Sequence, residues 1–84
     1  MPYIASKDRP KYQKTLNKID SIKSPGELNY ILTEVCKRYM EERSENYQTF
    51  NDIVGALECC KQEFYARVVA PYEEQKIKEN GDVY

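Results

Sequence analysis

Apolar residues recur at intervals of three and four along most of the chain, the spacing that places them on one face of an α-helix. No pair of strands is indicated. The pattern predicts an all-α protein, a compact bundle of three main helices with the last one kinked or broken at Pro71 and followed by a short tail. Because the predicted connections are only a few residues long, we expect residues 1–84 to form a single helical domain.

The first predicted helix covers residues 9–23, and Pro10 suits its first turn. Its apolar stripe contains Tyr12, Leu16 and Ile19 and ends at Lys23. A second row at the same spacing is basic and consists of Lys7, Lys11, Lys14 and Lys18. We therefore expect one apolar face and one basic face.

The second predicted helix covers residues 25–43 and has the clearest start in the chain. Ser24-Pro25-Gly26-Glu27 matches the capping box S-x-x-E, with proline at the first helical position. Apolar residues then keep a helical period at Leu28, Ile31, Leu32, Val35, Cys36, Tyr39 and Met40. The pattern predicts that this helix packs through one continuous face.

The third predicted helix covers residues 49–70 and starts at the weaker capping signal of Thr49 and Asp52. Its stripe consists of Phe50, Ile53, Val54, Leu57, Cys60, Phe64, Val68 and Tyr72. Pro71 removes one backbone hydrogen bond, so we expect a kink or break there. A further helical segment, residues 72–80, should end at Gly81, where a left-handed residue is favoured.

The net charge of −1 hides a gradient along the chain. Residues 1–23 carry six cations and two aspartates, a balance of +4, whereas residues 41–63 carry six carboxylates and two cations, a balance of −4. This asymmetry can steer a partner or pair one subunit with another, or it can neutralise itself inside the fold. No apolar run is long enough for a membrane span or a signal peptide, so we expect a protein in the cytoplasm of its host cell.

A chain of 84 residues has a small core and needs an additional source of stability, such as disulfides, a metal or a partner subunit. The three cysteines are odd in number, two of them are adjacent, and there is no histidine. We therefore expect neither a disulfide framework nor a zinc site. The remaining source of stability is self-association into a homo-oligomer.

The residue types argue against catalysis. Without histidine there is no imidazole base and no Ser-His or Cys-His pair. The three glycines are too scattered for a phosphate-binding loop. We expect a non-enzymatic protein with no catalytic residue, no cofactor and no metal.

Candidate ligand-binding residues come from the tyrosines, the basic row and the start of the second helix. Eight tyrosines in 84 residues is a high proportion, and exposed copies suit interfaces and nucleobase stacking, although Tyr12 and Tyr39 are most simply core residues. The basic row can contact phosphates or form a solvated face, and Arg67 can clamp an anion or pair with a nearby carboxylate. The ligand-binding residues that we predict are Lys11, Tyr12, Lys14, Ser24, Gly26, Asn29, Tyr30, Tyr65, Arg67 and Tyr72.

A face of small residues is formed by Gly55 with Cys59 and, further along, by Ala66 with Ala70. Such a face allows another helix to approach closely. The expected use is packing inside the bundle, and the alternative is a seam between subunits.

Several strings carry a resemblance to a family of small proteins predicted from phage and bacterial genomes. They are Met1-Pro2-Tyr3-Ile4, Ser24-Pro25-Gly26-Glu27-Leu28-Asn29-Tyr30, Glu63-Phe64-Tyr65, Arg67-Val68-Val69-Ala70-Pro71-Tyr72-Glu73, Lys76-Ile77 and Glu79-Asn80-Gly81-Asp82-Val83-Tyr84. This resemblance covers nearly the whole chain and implies a phage-like setting without a mechanism.

The stretch from Cys60 to Pro71 is also similar to the last helix of phage anti-CBASS sponges, small helical oligomers that sequester cyclic oligonucleotide signals. The order Val-Val-Ala-Pro departs from the Val-Ala-x-Pro-like end of those proteins. The similarity implies a counter-defence protein that sequesters a cyclic nucleotide, with Tyr12 and Lys14 supplying stacking and phosphate contacts. The alternative is an inhibitor or adaptor that docks on a host enzyme through exposed tyrosines and charged faces.

Overall fold

The computed structural model describes residues 4–84, and every regular element in that part of the chain is helical. In chain order they are a 3-10 turn, Ser6–Asp8; α1, Pro10–Leu16; α2, Pro25–Glu42; α3, Tyr47–Phe64; a π-helical segment, Tyr65–Val69; and α4, Ala70–Asn80. The all-α class and the three main helices are confirmed, with the last one running from α3 through the π segment into α4. Residues 1–3, which the predicted domain includes, lie outside the described part.

Helix α1 is shorter than predicted. It begins at Pro10 as expected but ends at Leu16, so the helix predicted as far as Lys23 is wrong over its second half. Two tighter bonds, from the N–H of Lys18 to Thr15 and from the N–H of Ile19 to Leu16, close the last turn. The chain then needs a non-helical stretch before the cap of α2, and the predicted helix left no residues for it.

The capping box of α2 is confirmed. The N–H of Glu27 donates to the Ser24 hydroxyl oxygen at 3.1 Å, and that hydroxyl approaches the Glu27 carboxylate at 3.3 Å. The carboxylate also accepts from the N–H of Lys23, at 3.4 Å. These bonds fix the start of α2 at Pro25, although the Glu27 carboxylate takes the N–H of Lys23, one residue before the cap, in place of that of Ser24.

Helix α3 starts two residues earlier than predicted, and Asn46 caps it in place of Thr49. Asn46 has an extended backbone, and its side-chain oxygen accepts from the N–H of Thr49 at 2.9 Å. Asparagine is among the best N-cap residues, so it takes precedence over the T-x-x-D signal. Thr49 becomes the third helical residue and is only 4% exposed.

The expected disturbance at Pro71 takes the form of the π segment. The N–H of Ala70 donates to the carbonyl of Tyr65, five residues back, and Pro71 lies in the first turn of α4. Because proline has no N–H and its ring crowds the carbonyl four residues before it, a wider turn accommodates it. Helix α4 then ends at Asn80, and Gly81 has a positive φ of 85° that favours glycine.

Contacts divide the chain into two compact units, Met1–Glu34 and Val35–Tyr84. Within the second unit, the Tyr39 hydroxyl donates to Asp52 at 3.3 Å and joins the end of α2 to α3. The Gln48 amide donates to the same carboxylate at 2.7 Å. That residues 1–84 form one domain stays a prediction.

The buried apolar residues expected from the stripes are not found in residues 4–84, where no hydrophobic side chain is buried. Tyr12, expected in the core, is 49% exposed, and Tyr39 is half-buried. Packing against the small-residue face is also absent at Gly55, because a Cβ built there meets no atom within 4 Å in the described chain. The helices therefore keep large apolar faces in contact with solvent.

Candidate binding surfaces

The basic side of α1 brings cationic and aromatic groups together. The Lys11 ammonium lies 4.9 Å from the centroid of the Tyr12 ring, a cation–π distance. On the neighbouring side, a shallow pocket of about 430 Å³ is lined by Ser6, Arg9, Pro10, Gln13, Lys14 and Asn17. Its volume lies within the range of small-molecule sites, roughly 300–1,000 Å³.

Hydrogen bonds hold the walls of this pocket in place. The Arg9 Nε donates to the carbonyl of Ile4 at 3.1 Å, and the Gln13 amide donates to the Asn17 side chain at 3.0 Å. Arg9 and Lys14 supply two positive charges within one and a half helical turns of each other. These charges can attract an anionic group, and Tyr12 on the same helix offers an aromatic ring.

The start of α2 has little remaining capacity for an anion. The Ser24 hydroxyl takes the N–H of Glu27, and the Glu27 carboxylate occupies the same helix end. Gly26 is not sterically required, since a Cβ there would meet the Ser24 hydroxyl at an ordinary 3.8 Å. Of the next two candidates, Asn29 accepts the Thr33 hydroxyl at its carbonyl, and Tyr30 is 65% exposed.

The remaining candidates lie in the second unit, on the π segment and α4. The Arg67 Nε donates to the Glu63 carboxylate at 2.6 Å, so the pairing alternative for Arg67 is the one that forms. Tyr65 is 58% and Tyr72 59% exposed, and the Lys76 ammonium lies 5.4 Å from the Tyr72 ring centroid. These residues form an aromatic and cationic surface of their own.

The structure thus groups the predicted residues by unit. Lys11, Tyr12, Lys14, Ser24, Gly26, Asn29 and Tyr30 belong to Met1–Glu34, whereas Tyr65, Arg67 and Tyr72 belong to Val35–Tyr84. Sequence reasoning missed Arg9, Gln13 and Asn17 as pocket residues. Their spacing of four residues was the available signal, because it places them on one side of a helix.

Other ionisable groups lie outside these surfaces. A hydrogen bond from the Gln62 amide, followed by the hydrogen bond and charge of Lys61, lowers the pKa of the exposed Glu58 carboxyl. Cys36, Cys59 and Cys60 are free thiols. Among residues 4–84, no group of three histidine, cysteine or acidic side chains is placed to hold a metal ion.

Comparison with known proteins identifies the family of the chain. The family model described as Domain of unknown function (DUF6899) matches residues 1–83. No curated protein and no solved structure matches the chain. Within the described residues, none of the helices combines the length and the apolar character needed to cross a membrane.

Proposed function

We propose that this chain, which belongs to the DUF6899 family, acts by stoichiometric binding of an anionic ligand and works as a homo-oligomer without catalysing a reaction. The observation that carries the proposal is the pocket on α1, which Arg9 and Lys14 line together with polar side chains, and the Lys11–Tyr12 pair on the same helix. Exposed apolar faces on every long helix support the oligomeric state.

In its sharper form, the ligand is a cyclic nucleotide and the protein is a phage-type accessory that counters a host defence system by sequestering it. Cations that neutralise phosphates and an aromatic ring on which a base can stack are the groups that such a ligand requires. Lys11, Tyr12 and Lys14 supply both kinds of group on one short helix. Arg67 contributes only if its bond to Glu63 is exchanged for one to phosphate.

Titration of the pure protein with cyclic di- and trinucleotides tests this function. A nucleotide that binds, present at about a hundred times its Kd, adds about 2.7 kcal/mol to the free energy of unfolding. This corresponds to a Tm increase of about 10 °C or more for a chain of this size. Lys14→Gln should lower the affinity for the nucleotide at least tenfold, with little change in the Tm of the free protein. Lys78→Gln, on α4, is the matched control and should bind normally.

Two outcomes would contradict the binding of a cyclic nucleotide by α1. If none of the nucleotides shifts the Tm, or if Lys14→Gln and Lys78→Gln bind alike, the α1 surface is not a nucleotide site. Reproducible turnover of any substrate by pure protein would contradict a purely stoichiometric role.

A second candidate function is docking on a host enzyme as an inhibitor or adaptor. Tyr30, Tyr65 and Tyr72 favour it because each is more than half exposed, and tyrosine is enriched in protein interfaces. A defined complex with one host enzyme, lost in Tyr30→Ala or Tyr65→Ala and insensitive to nucleotides, would support docking in place of sequestration.

A further inference from the structure

The apolar stripe of α3 follows a seven-residue repeat. Phe50, Leu57 and Phe64 are spaced by seven, and Ile53 and Cys60 each fall three residues after one of them. Apolar residues at the first and fourth positions of a heptad form the contact line of paired helices. Such a line drifts only about 20° per heptad around a straight helix, so it stays on one side of α3.

The π segment keeps this repeat in phase beyond α3. Tyr72 lies eight residues after Phe64, which in a regular helix would carry it off the stripe by almost a third of a turn. The π segment between them has a hydrogen bond spanning five residues, from Ala70 to Tyr65, and so accommodates one extra residue in a turn. The eight-residue step therefore covers the two turns that seven residues cover elsewhere, with Val68 at the intermediate position.

The resulting line of side chains, here called the heptad seam, consists of Phe50, Ile53, Leu57, Cys60, Phe64, Val68 and Tyr72. Its second half is the more exposed part: Phe64 is 60%, Tyr72 59% and Val68 53% exposed, whereas Phe50 and Leu57 are 41% and 42% exposed and Ile53 is half-buried. Within the Val35–Tyr84 unit, the seam from Phe64 to Tyr72 is thus an apolar face that is more than half exposed.

We propose that the heptad seam is an interface with a second copy of this chain. This inference rests on the oligomeric form of the proposed function and names the face that forms it. It also assigns Tyr72 to the contact between copies, whereas Tyr65 stays on the outer surface.

The choice of a second copy follows from symmetry and area. A heptad line is self-complementary, because the same positions of two helices meet in an isologous contact. With about 150–250 Å² per large side chain, covering the exposed parts of the seam removes roughly 600 Å² per copy. A stable interface needs about 800 Å² per partner, and Val54, 66% exposed beside the seam, supplies part of the remainder.

Two adjacent cysteines provide a native reporter for the seam. Cys60 lies on it, whereas Cys59 points to the side of α3 that carries Gly55, and both are exposed in the single chain. In the paired state, Cys60 should react with a maleimide at least tenfold more slowly than Cys59. This protection should decrease on dilution, as the mass from sedimentation equilibrium falls from two copies towards the 9.9 kDa of one chain.

A pair of neighbouring aromatic residues provides the matched variants. Phe64 on the seam and Tyr65 beside it are almost equally exposed, at 60% and 58%. Phe64→Ala should weaken pairing at least tenfold and remove the protection of Cys60, whereas Tyr65→Ala should leave the mass and the protection unchanged. Circular dichroism shows whether each variant remains helical, and the labelling of the unmodified protein does not depend on either variant.

Three results would overturn the proposal. The first is a monomer at every concentration, and the second is an oligomer in which Cys60 reacts as fast as Cys59. The third is an equal loss of pairing, measured as the mass, in Phe64→Ala and Tyr65→Ala. A monomer that still binds a cyclic nucleotide would remove this interface and leave ligand binding in place. Pairing through the seam without any nucleotide binding would uphold the interface and remove the proposed ligand.

Discussion

The cap of α3 gives the sharpest test of the local structure. Asn46→Ala removes the side-chain oxygen that accepts from the N–H of Thr49 at 2.9 Å, and it also removes the amide that donates to Ser44 at 2.8 Å. The N–H of Thr49 is then one more unsatisfied donor at the helix start, and Thr49 is the most buried residue in the described chain. Replacing an asparagine cap by alanine costs about 1 kcal/mol, within a range of roughly 0.5–2.

For a domain of this size, 1 kcal/mol lowers the Tm by roughly 4–8 °C. The assay is thermal unfolding followed by circular dichroism, with all proteins at one concentration so that association contributes equally. Asn46→Asp is the matched control, because it keeps the acceptor and adds a negative charge at the helix N-terminus, and its Tm should stay close to that of the parent.

The T-x-x-D alternative makes the opposite prediction. If Thr49 were the cap, Thr49→Val would remove the capping oxygen and Asn46→Ala would remove only a connecting residue. The structure predicts that Thr49→Val, which keeps the buried shape, is the milder change of the two. A larger loss of Tm for Thr49→Val than for Asn46→Ala would refute the assignment of the cap to Asn46.

Three further outcomes follow from individual residues. Gly55→Ala should raise the free energy of unfolding by about 0.5–1 kcal/mol in urea titrations, because the added Cβ meets open space and alanine favours the helix; a decrease would show that something packs on this face. Tyr39→Phe should cost about 0.5–1 kcal/mol through the lost hydrogen bond to Asp52, and no loss would show that the bond does not stabilise the contact of α2 with α3. In an NMR titration, the pKa of Glu58 should lie below that of a free glutamate and rise in Gln62→Ala. Because its folded pKa is lowered, its contribution to stability is present above the unfolded pKa and disappears as pH falls through the folded pKa.

The parts of the fold that sequence reasoning predicted well are those with local causes. The start of α2 depends on Ser24 and Glu27, three residues apart, and the end of α4 depends on Gly81. Both signals act through backbone groups one turn away, so neighbouring residues are sufficient to establish them. The disturbance at Pro71 was equally foreseeable, since a missing N–H follows from the residue type alone.

The errors arose where periodicity was extended beyond a local signal. Ile19 and Lys23 continue the spacing of α1, but spacing does not show where a helix ends, and Asn17 with Asp20 favours a turn there. At α3, the T-x-x-D signal indicated Thr49 as the cap, although Asn46 is the stronger cap. Whether the extra residue at Pro71 would be taken up by a kink or a π turn depends on the hydrogen-bond register of the whole helix, which residue types alone do not determine.

The candidate site was foreseen in part. The contact of Lys11 with Tyr12 and the place of Lys14 in a pocket follow from positions on one short helix. The fate of Arg67 was one of two alternatives, because a bond to Glu63 requires specific side-chain rotamers as well as the four-residue spacing. The burial of apolar side chains was overestimated, because an amphipathic stripe shows which face of a helix is apolar but not which molecule packs against it.

The central claim is that these helices cover their apolar faces by pairing with another copy of the chain. The most direct measurement is urea unfolding of the pure protein, followed by circular dichroism over a hundredfold range of protein concentration. A midpoint that rises steadily with concentration is the predicted result, because folding and association are then one equilibrium. A cooperative transition with the same midpoint at every concentration would contradict the claim, since a single chain would then be sufficient for its own stability.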